Sequence, residues 1–469
     1  MSEASATTAP AAGLGTLERL PRTTVFAYGL PGIGAGYMYL LIGLYVMKFS
    51  TDVLLISPLV MGLIFSASRI WDAVSDPLVG YLSDRTRSRF GRRRTWMAAS
   101  VVPIAGVFLM IFAPPQGLEG TGLVVWMAVA IIGWYSVMTA FFVPHLSLGA
   151  ELSTNYHERS RLFGYRHGFY TAGSILCLAT MQLLIGAEAE GPAAARERAL
   201  DLSLPAAILM GAMILFAVVR LRERPEFQGR VTDNPLRAFA DVWRNEHARL
   251  LIIVTLIENI GSAAIGVLTL YVAQYVVGAP AMAPLVILAY MIPSAISVPL
   301  WLPLSRRLGK VRLWMFSMLL TGFSFGGMFA LPFIDPDLRL GLMFILAVFA
   351  GLAAGCGGTI GPSVQGDVID YDEHRTGERK EGSYFAAWNF VYKSAFGIML
   401  ALTGFVLDLS GFVPNQEQTM ATQVWMVGLY GMFPLICYSV GAALFSRFKL
   451  DEAAYREIRK GLDSGGGQA

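Results

Sequence analysis

Charge is scarce in this chain of 469 residues: 15% of them are Asp, Glu, Lys or Arg, against roughly 25% in soluble domains. Cysteine and histidine are scarcer still, with three and five residues. Cys177, Cys356 and Cys437 each fall inside an apolar stretch, so no disulfide framework is expected. The histidines are scattered, and neither His-Glu-x-x-His nor Cys-x-x-Cys occurs, which excludes zinc sites of those kinds. A Gly-x-x-x-x-Gly-Lys-Ser/Thr loop is missing too, leaving ATP-driven work by this chain unsupported. His157-Glu158, the nearest pair an acyltransferase could use, reads as loop. No enzyme activity and no cofactor are therefore expected. The first residues, small and polar, lack a basic stretch followed by an apolar core and read as a tail rather than a cleaved signal.

What the chain has in abundance is apolar length. Hydrophobic residues make up 55%, and apolar runs of about 20 residues, the length that crosses a bilayer, recur along nearly the whole sequence. Twelve spans are expected. The loops after even-numbered spans carry the basic residues: Arg85, Arg87, Arg89, Arg92, Arg93 and Arg94, then Arg159, Arg161 and Arg166, then Arg220 to Arg249, then Arg306, Arg307, Lys310 and Arg312. The opposite loops are short and poor in such charges, with Asp52, Glu119, Asp335, Asp337 and Glu417 among them, and only the loop around 186–203 carries several charges, of mixed sign. The positive-inside rule then predicts an inner-membrane protein with both termini in the cytoplasm. The net charge of +3 follows from this topology, and no nucleic-acid partner is expected.

Asp72 and Asp76 stand four residues apart in an otherwise apolar span, on one helix face. Each charge at mid-bilayer costs about 2.5–3.5 kcal/mol even on the lenient insertion scale. Two acids there must face protein or water and hold something positive, so a cation site leads. The plainer role for Asp76, beside Pro77, is a bond to a neighbouring helix. Lys393 is the second intramembrane charge, and pairing with either acid would keep its ammonium protonated. Glu258-Asn259 places a further acid in span 7, able to meet cargo, a proton or an arginine.

The polar stretch 223–247 divides the spans six and six. Gly80-x-x-x-Asp84-Arg85 with Gly91-Arg92-Arg93 follows span 2, and Ser305-Arg306-Arg307-Leu308-Gly309-Lys310 follows span 8, an echo at about half the chain length that suggests internal duplication. The first pattern resembles the loop signature of the major facilitator superfamily. Its long form, preceded by Asp72-Ala-Val-Ser-Asp76-Pro77, resembles the glycoside–pentoside–hexuronide:cation symporters, the melibiose-permease-like group, to which the vertebrate lysophosphatidylcholine–sodium symporter is more distantly similar. Val143-Pro144-His145 through Leu152, Gly366-Asp367 through Gly382, and Phe390-Val391-Tyr392-Lys393-Ser394 resemble that family's later segments, in order.

The resemblance implies an all-α integral membrane fold, with twelve transmembrane helices in two pseudo-symmetric six-helix bundles. The expected division is a tail over 1–22, bundles over 23–222 and 248–450, the linker 223–247, and a tail over 451–469. It further implies cation-coupled symport of a sugar, glycoside or uronide by alternating access, with a lysolipid-like amphiphile or organic anion as the alternative cargo. The acid pair would bind Na+ or H+, with oxygens from Ser75, Ser136 and Thr139. Lys393 would couple that site to cargo. Tyr37, Arg166, Glu258, Asn259, Trp388, Asn389 and Tyr392 are the candidate cargo contacts, and Asp84, Arg85, Arg92, Arg93 and Glu151 the cytoplasmic gate. The mixed-sign cluster from Asp367 to Glu381 reads as a closing network of salt bridges. A monomer in the lipid bilayer is expected. The sugar-holding acid on span 1, acid and tryptophan on span 4, and tryptophan on span 10 correspond here to Gly36, Thr139, Val143 and Gly358, so melibiose itself is not the expected cargo.

Overall fold

A computed structural model describes residues 19–153, 156–223, 242–377, 381–450 and 454–458. Most of the expected linker and of both expected tails lies outside these residues. Among them the chain is helical, and its long helices are α1 (Arg22–Leu44), α2 (Pro58–Arg85), α3 (Arg92–Phe112), α4 (Gly120–Glu151), α5 (Tyr156–Ala189), α6 (Pro192–Arg220), α7 (Glu246–Tyr275), α8 (Pro280–Ile296 with Val298–Leu308), α9 (Lys310–Phe333), α10 (Pro336–Thr376), α11 (Glu381–Leu409) and α12 (Met420–Phe445). Ten of them are both long and apolar enough to cross a membrane. The two halves of α8 meet at 51° and together make an eleventh span. Helix α2 is long enough at 28 residues, but Arg69, Asp72 and Asp76 at its centre dilute its hydropathy. The charges that mark the site are what hide this span from a composition test.

Helix ends follow the local chemistry. Asn245 caps α7, accepting from the amides of His247 (3.0 Å) and Ala248 (3.3 Å), and Asp335 caps α10 ahead of Pro336. The cap of α3 comes from elsewhere in the chain. Glu223, just past α6, accepts from the backbone amides of Arg92, Arg93 and Arg94 at 2.8–2.9 Å, an anion on the positive end of a helix. Gly91 permits this: its φ is +100°, and a Cβ there would press on the Glu223 carboxylate.

The packing repeats between halves. In the first, α1 packs on α5, α2 on α4, α3 on α4 and α3 on α6; in the second, α7 packs on α11, α8 on α10, α9 on α10 and α9 on α12. Adding six to each helix number converts one set into the other, as duplication requires. Across the halves, α2 lies along α11. Small residues set the closest approaches within a bundle, as in other membrane helix pairs. A Cβ on Gly173 would overlap the Ile33 carbonyl, and one on Gly36 the Tyr170 carbonyl. Gly173→Val is therefore expected to separate α1 from α5 and destabilise the protein by about 1–3 kcal/mol, read as a lower melting temperature in detergent.

At the end opposite the basic loops, the halves are bonded together. Asp52 accepts from Thr51 (2.8 Å) and from Tyr275 (2.6 Å). Thr51 also meets Tyr271 at 2.8 Å. Asn415 donates to the Asp52 carbonyl at 2.7 Å, and Ser57 to Asp408 at 3.2 Å. Lys48, buried, pairs with Asp52 (3.4 Å) and with Glu188. At the basic end each half carries charged contacts of its own. Arg92 and Arg93 bind Asp84 and Glu151, tying α2, α3 and α4 together. Lys310 binds Asp367 at 2.6 Å, joining α9 to α10.

Candidate functional site

Asp72, Asp76, Thr139 and Lys393 meet midway along α2, α4 and α11. Successive turns of α2 present the two carboxylates to the same side. Lys393 Nζ lies 2.9 Å from Asp72 Oδ2 and 2.5 Å from Asp76 Oδ2. The Thr139 hydroxyl sits 2.9 Å from Asp72 Oδ1 and 3.0 Å from Asp76 Oδ1. Its single proton can serve only one acid at a time, leaving its oxygen free as a ligand. Arg69 stands behind, 3.8 Å from Asp72 Oδ2, with its guanidinium between the rings of Tyr135 (4.3 Å) and Phe396 (4.5 Å). Two acids and two bases balance, so the cluster is neutral with the ammonium in place. Asp72 is buried, whereas the Asp76 side chain is 33% exposed and offers the way in.

Three expected residues stand elsewhere. The Ser136 hydroxyl accepts from Trp71 (2.7 Å) and donates to the Ile132 carbonyl (2.8 Å); its capacity goes to Trp71, on another face of α2 from the acids. Tyr37 is buried between α1 and α5, its hydroxyl accepting from Thr180 at 3.1 Å, away from the site. Trp388 is buried beside Tyr384 and Phe385 in the core of the second half. The Ser75 hydroxyl donates to the Asp72 carbonyl at 3.2 Å.

Two adjoining cavities share Asn259, Ser262 and Tyr290. One, of about 250 Å³, lies within the second half and includes Glu258, Asn259 and Gly358 in its walls. The other, of about 340 Å³, runs between α1 and the second half, is mostly apolar, and takes Tyr392 and Asn259 as walls. Asn389 is exposed one turn before Lys393. Arg166 places its guanidinium 5.7 Å from the Phe142 ring and 5.9 Å from the Phe163 ring, and its buried Nε has no hydrogen-bond partner among the described residues. Gly36 faces the α5 backbone, so an acid at that position would have no room, whereas Gly358 faces open space.

Asp84, Arg92, Arg93 and Glu151, expected as a gate, form one network that ties the ends of α2, α3 and α4. Arg85 stands outside it, over the Tyr81 ring at 4.1 Å, because it points to the exposed side of the last turn of α2. In the cluster expected from Asp367, Asp367 pairs with Lys310 and Asp370 accepts from Tyr455 at 2.8 Å; residues 378–380 lie outside the described residues. Sequence reasoning missed the Lys48–Asp52–Glu188 group. Its signal was present, a lysine and an aspartate at i and i+4, but near a span end they read as loop charges.

The family model described as MFS/sugar transport protein matches residues 27–452. The inner membrane symporter YicJ of Escherichia coli is 26% identical over 426 residues, covering 90% of each chain. The isoprimeverose transporter of Lactiplantibacillus pentosus is 26% identical over 464 residues, covering 96% of this chain and 93% of its own. The sodium-dependent lysophosphatidylcholine symporter 1 of Gallus gallus is 24% identical over 482 residues, covering 95% and 90%. A crystal structure of a D-xylose–proton symporter superposes with a TM-score of 0.65 at 16% identity, over 91% of this chain and 97% of that one, and shares the fold. This chain is a multi-pass membrane protein of the MFS/sugar transport family, within its melibiose-permease-like group of cation symporters.

Proposed function

We propose that this protein is a secondary active transporter that couples inward movement of Na+ or H+ to uptake of a sugar or glycoside. The observation that carries the reading is the Lys393 ammonium lodged between Asp72 and Asp76. A coupling cation needs the same carboxylate oxygens. With Arg69 and Lys393 already balancing the acids, an added positive charge must displace the ammonium. Sodium would take oxygens of Asp72, Asp76 and Thr139; a proton would neutralise Asp76, the exposed acid, and loosen its hold on Lys393. Freed, Lys393 can turn toward Tyr392 and the apolar cavity, where cargo is held. Cation and cargo are then linked through one side chain, which is what coupling requires.

The bundles, residues 23–222 and 248–450, would rock about this site. With the basic loops cytoplasmic, the bonded end is the outer one, and its bonds would latch that side shut. Asp52→Asn should weaken the outer latch by about 1.5–3 kcal/mol, shifting the population outward. A cysteine at Asn389 should then react with a membrane-impermeant maleimide more slowly from the cytoplasmic side; an unchanged rate would remove the latch.

The apolar walls of the larger cavity favour a cargo with an apolar part, such as an alkyl or aryl glycoside, and keep a lysolipid as the second reading. Proteoliposome uptake tests this. Methyl and aryl glycosides, and separately lysophosphatidylcholine, are offered under an inward sodium or proton gradient. Gradient-driven glycoside accumulation supports the reading, and accumulation of the lysolipid alone replaces it.

A further inference from the structure

The smaller cavity contains a negative charge that nothing around it balances. Glu258, near the middle of α7, stands in its wall, and the Trp314 indole N–H donates to the carboxylate. The two groups are close neighbours: a Cβ added at Gly357 would lie 3.8 Å from Glu258 Oε1 and 3.8 Å from Trp314 Nε1. A bond from a neutral donor leaves the charge whole. Among the described residues, no Lys, Arg or His lines this cavity or the adjoining apolar one. Lys393 and Arg69 face the Asp72–Asp76 pair instead.

A carboxylate away from water is costly unless a positive charge pairs with it. A ligand hydroxyl would add a hydrogen bond but no charge. A cation removes the cost, and the rest of the lining suits one. Asn259 donates to the Thr255 carbonyl (2.7 Å) and Ser317 to the Trp314 carbonyl (2.8 Å), so protons point into the helices and side-chain oxygens are left to accept. The buried Thr255 hydroxyl, one turn before Glu258, has no hydrogen-bond partner among the described residues. Tyr290, Trp314 and Tyr438 stand in the same walls, and aromatic rings beside an acid are surroundings in which ammonium groups are held. At about 250 Å³ the cavity is far larger than a bare inorganic ion and near the lower end of the roughly 300–1,000 Å³ typical of ligand pockets. Size therefore favours a small organic ammonium over sodium.

We propose that the second half of the protein carries a binding site for an organic ammonium group, in which the Glu258 carboxylate pairs with the cation and Tyr290, Trp314 and Tyr438 surround it. An amino sugar and a choline-like quaternary amine both offer that charge on a molecule of suitable size. The remainder of a larger ligand extends past Asn259, Ser262 and Tyr290 into the apolar cavity. This goes beyond the reading of the cargo as a sugar or glycoside and does not rest on it: the acid pair serves the coupling cation, and Glu258 serves a charge on a ligand.

The test is binding of choline and of glucosamine to the full-length protein in detergent, each against an uncharged counterpart, 3,3-dimethylbutan-1-ol and glucose. Thermal shift and titration calorimetry read it at one pH and constant ionic strength. At least one amine is expected to bind tenfold or more tightly than its counterpart. That preference should disappear in Glu258→Gln, which removes an unbalanced charge and so should melt, without ligand, no lower than wild type. Gly358→Leu fills the space from the α10 wall, where a Cβ meets nothing within 4 Å, and should lose the same binding with the carboxylate untouched. A preference for glucosamine alone supports the site as one for amino sugars, and a preference for choline alone as one for quaternary amines. Amines that bind no more tightly than their neutral counterparts would overturn the proposal, as would a preference that Glu258→Gln retains. Gradient-driven uptake of neutral glycosides is measured separately, so either failure leaves that reading standing.

Discussion

Lys393→Ala should abolish concentrative uptake while leaving downhill exchange of cargo. The ammonium bridges Asp72 and Asp76 and holds α11 to α2 midway along their length. Remove it, and nothing reports the state of the acid pair to the cargo cavity. The coupling that links one ligand to another is worth about 1–3 kcal/mol in most proteins, a factor of about 5–150 in affinity. In Lys393→Ala that factor should fall to about one, so the accumulation ratio under a cation gradient drops to unity. Lys393→Arg keeps the charge but not the compact ammonium and should restore coupling only in part. Wild-type accumulation ratios in Lys393→Ala would remove the residue from the mechanism.

Asp76→Asn should have the second-largest effect. The amide keeps the shape and can still accept from Thr139, but it cannot hold a bare cation or take up a proton. Breaking a fully buried ion pair costs about 3–5 kcal/mol. Asp76 is a third exposed, and Asp72 stays 2.9 Å from Lys393, so the ammonium keeps a partner and the fold should survive. The expected outcome is a protein of near-normal melting temperature whose stability no longer answers to sodium or to pH, and whose cargo binding no longer depends on either. A sodium- or pH-dependent shift equal to that of wild type would place the cation elsewhere.

The parts of this site that were legible in the sequence are those where cost is visible without coordinates. A charge inside an apolar run must be satisfied, and Asp72, Asp76 and Lys393 announce themselves by that rule alone. Thr139 followed from the resemblance. The parts that stayed hidden depend on helix phase and on which neighbour reaches a hydroxyl first. Ser136 lies three residues before Thr139 on α4, yet Trp71 claims it. Tyr37 and Trp388 look like cargo aromatics in sequence but pack inside bundles, because each faces a neighbouring helix of its own half.

Twelve helices were readable from apolar length, although α8 breaks at Ser297 and α2 is polar enough to fail the same criterion. The bonding between the halves was not readable at all. Lys48, Asp52 and Glu188 sit near helix ends, where charge is cheap, and only their burial with Tyr271 and Tyr275 identifies a latch between halves.

The central claim is that the Lys393 ammonium and the coupling cation compete for the Asp72–Asp76 pair. Its most direct test is the cation affinity of Lys393→Ala against wild type, from the melting temperature titrated with sodium at constant ionic strength and at several pH values. Two unit charges about 4 Å apart interact by about 4 kcal/mol at an effective dielectric of 20, so losing the competitor should matter. The account predicts that Lys393→Ala binds its cation at least tenfold more tightly, or takes up its proton at higher pH, while failing to accumulate cargo. Equal or weaker cation binding in the variant would contradict it.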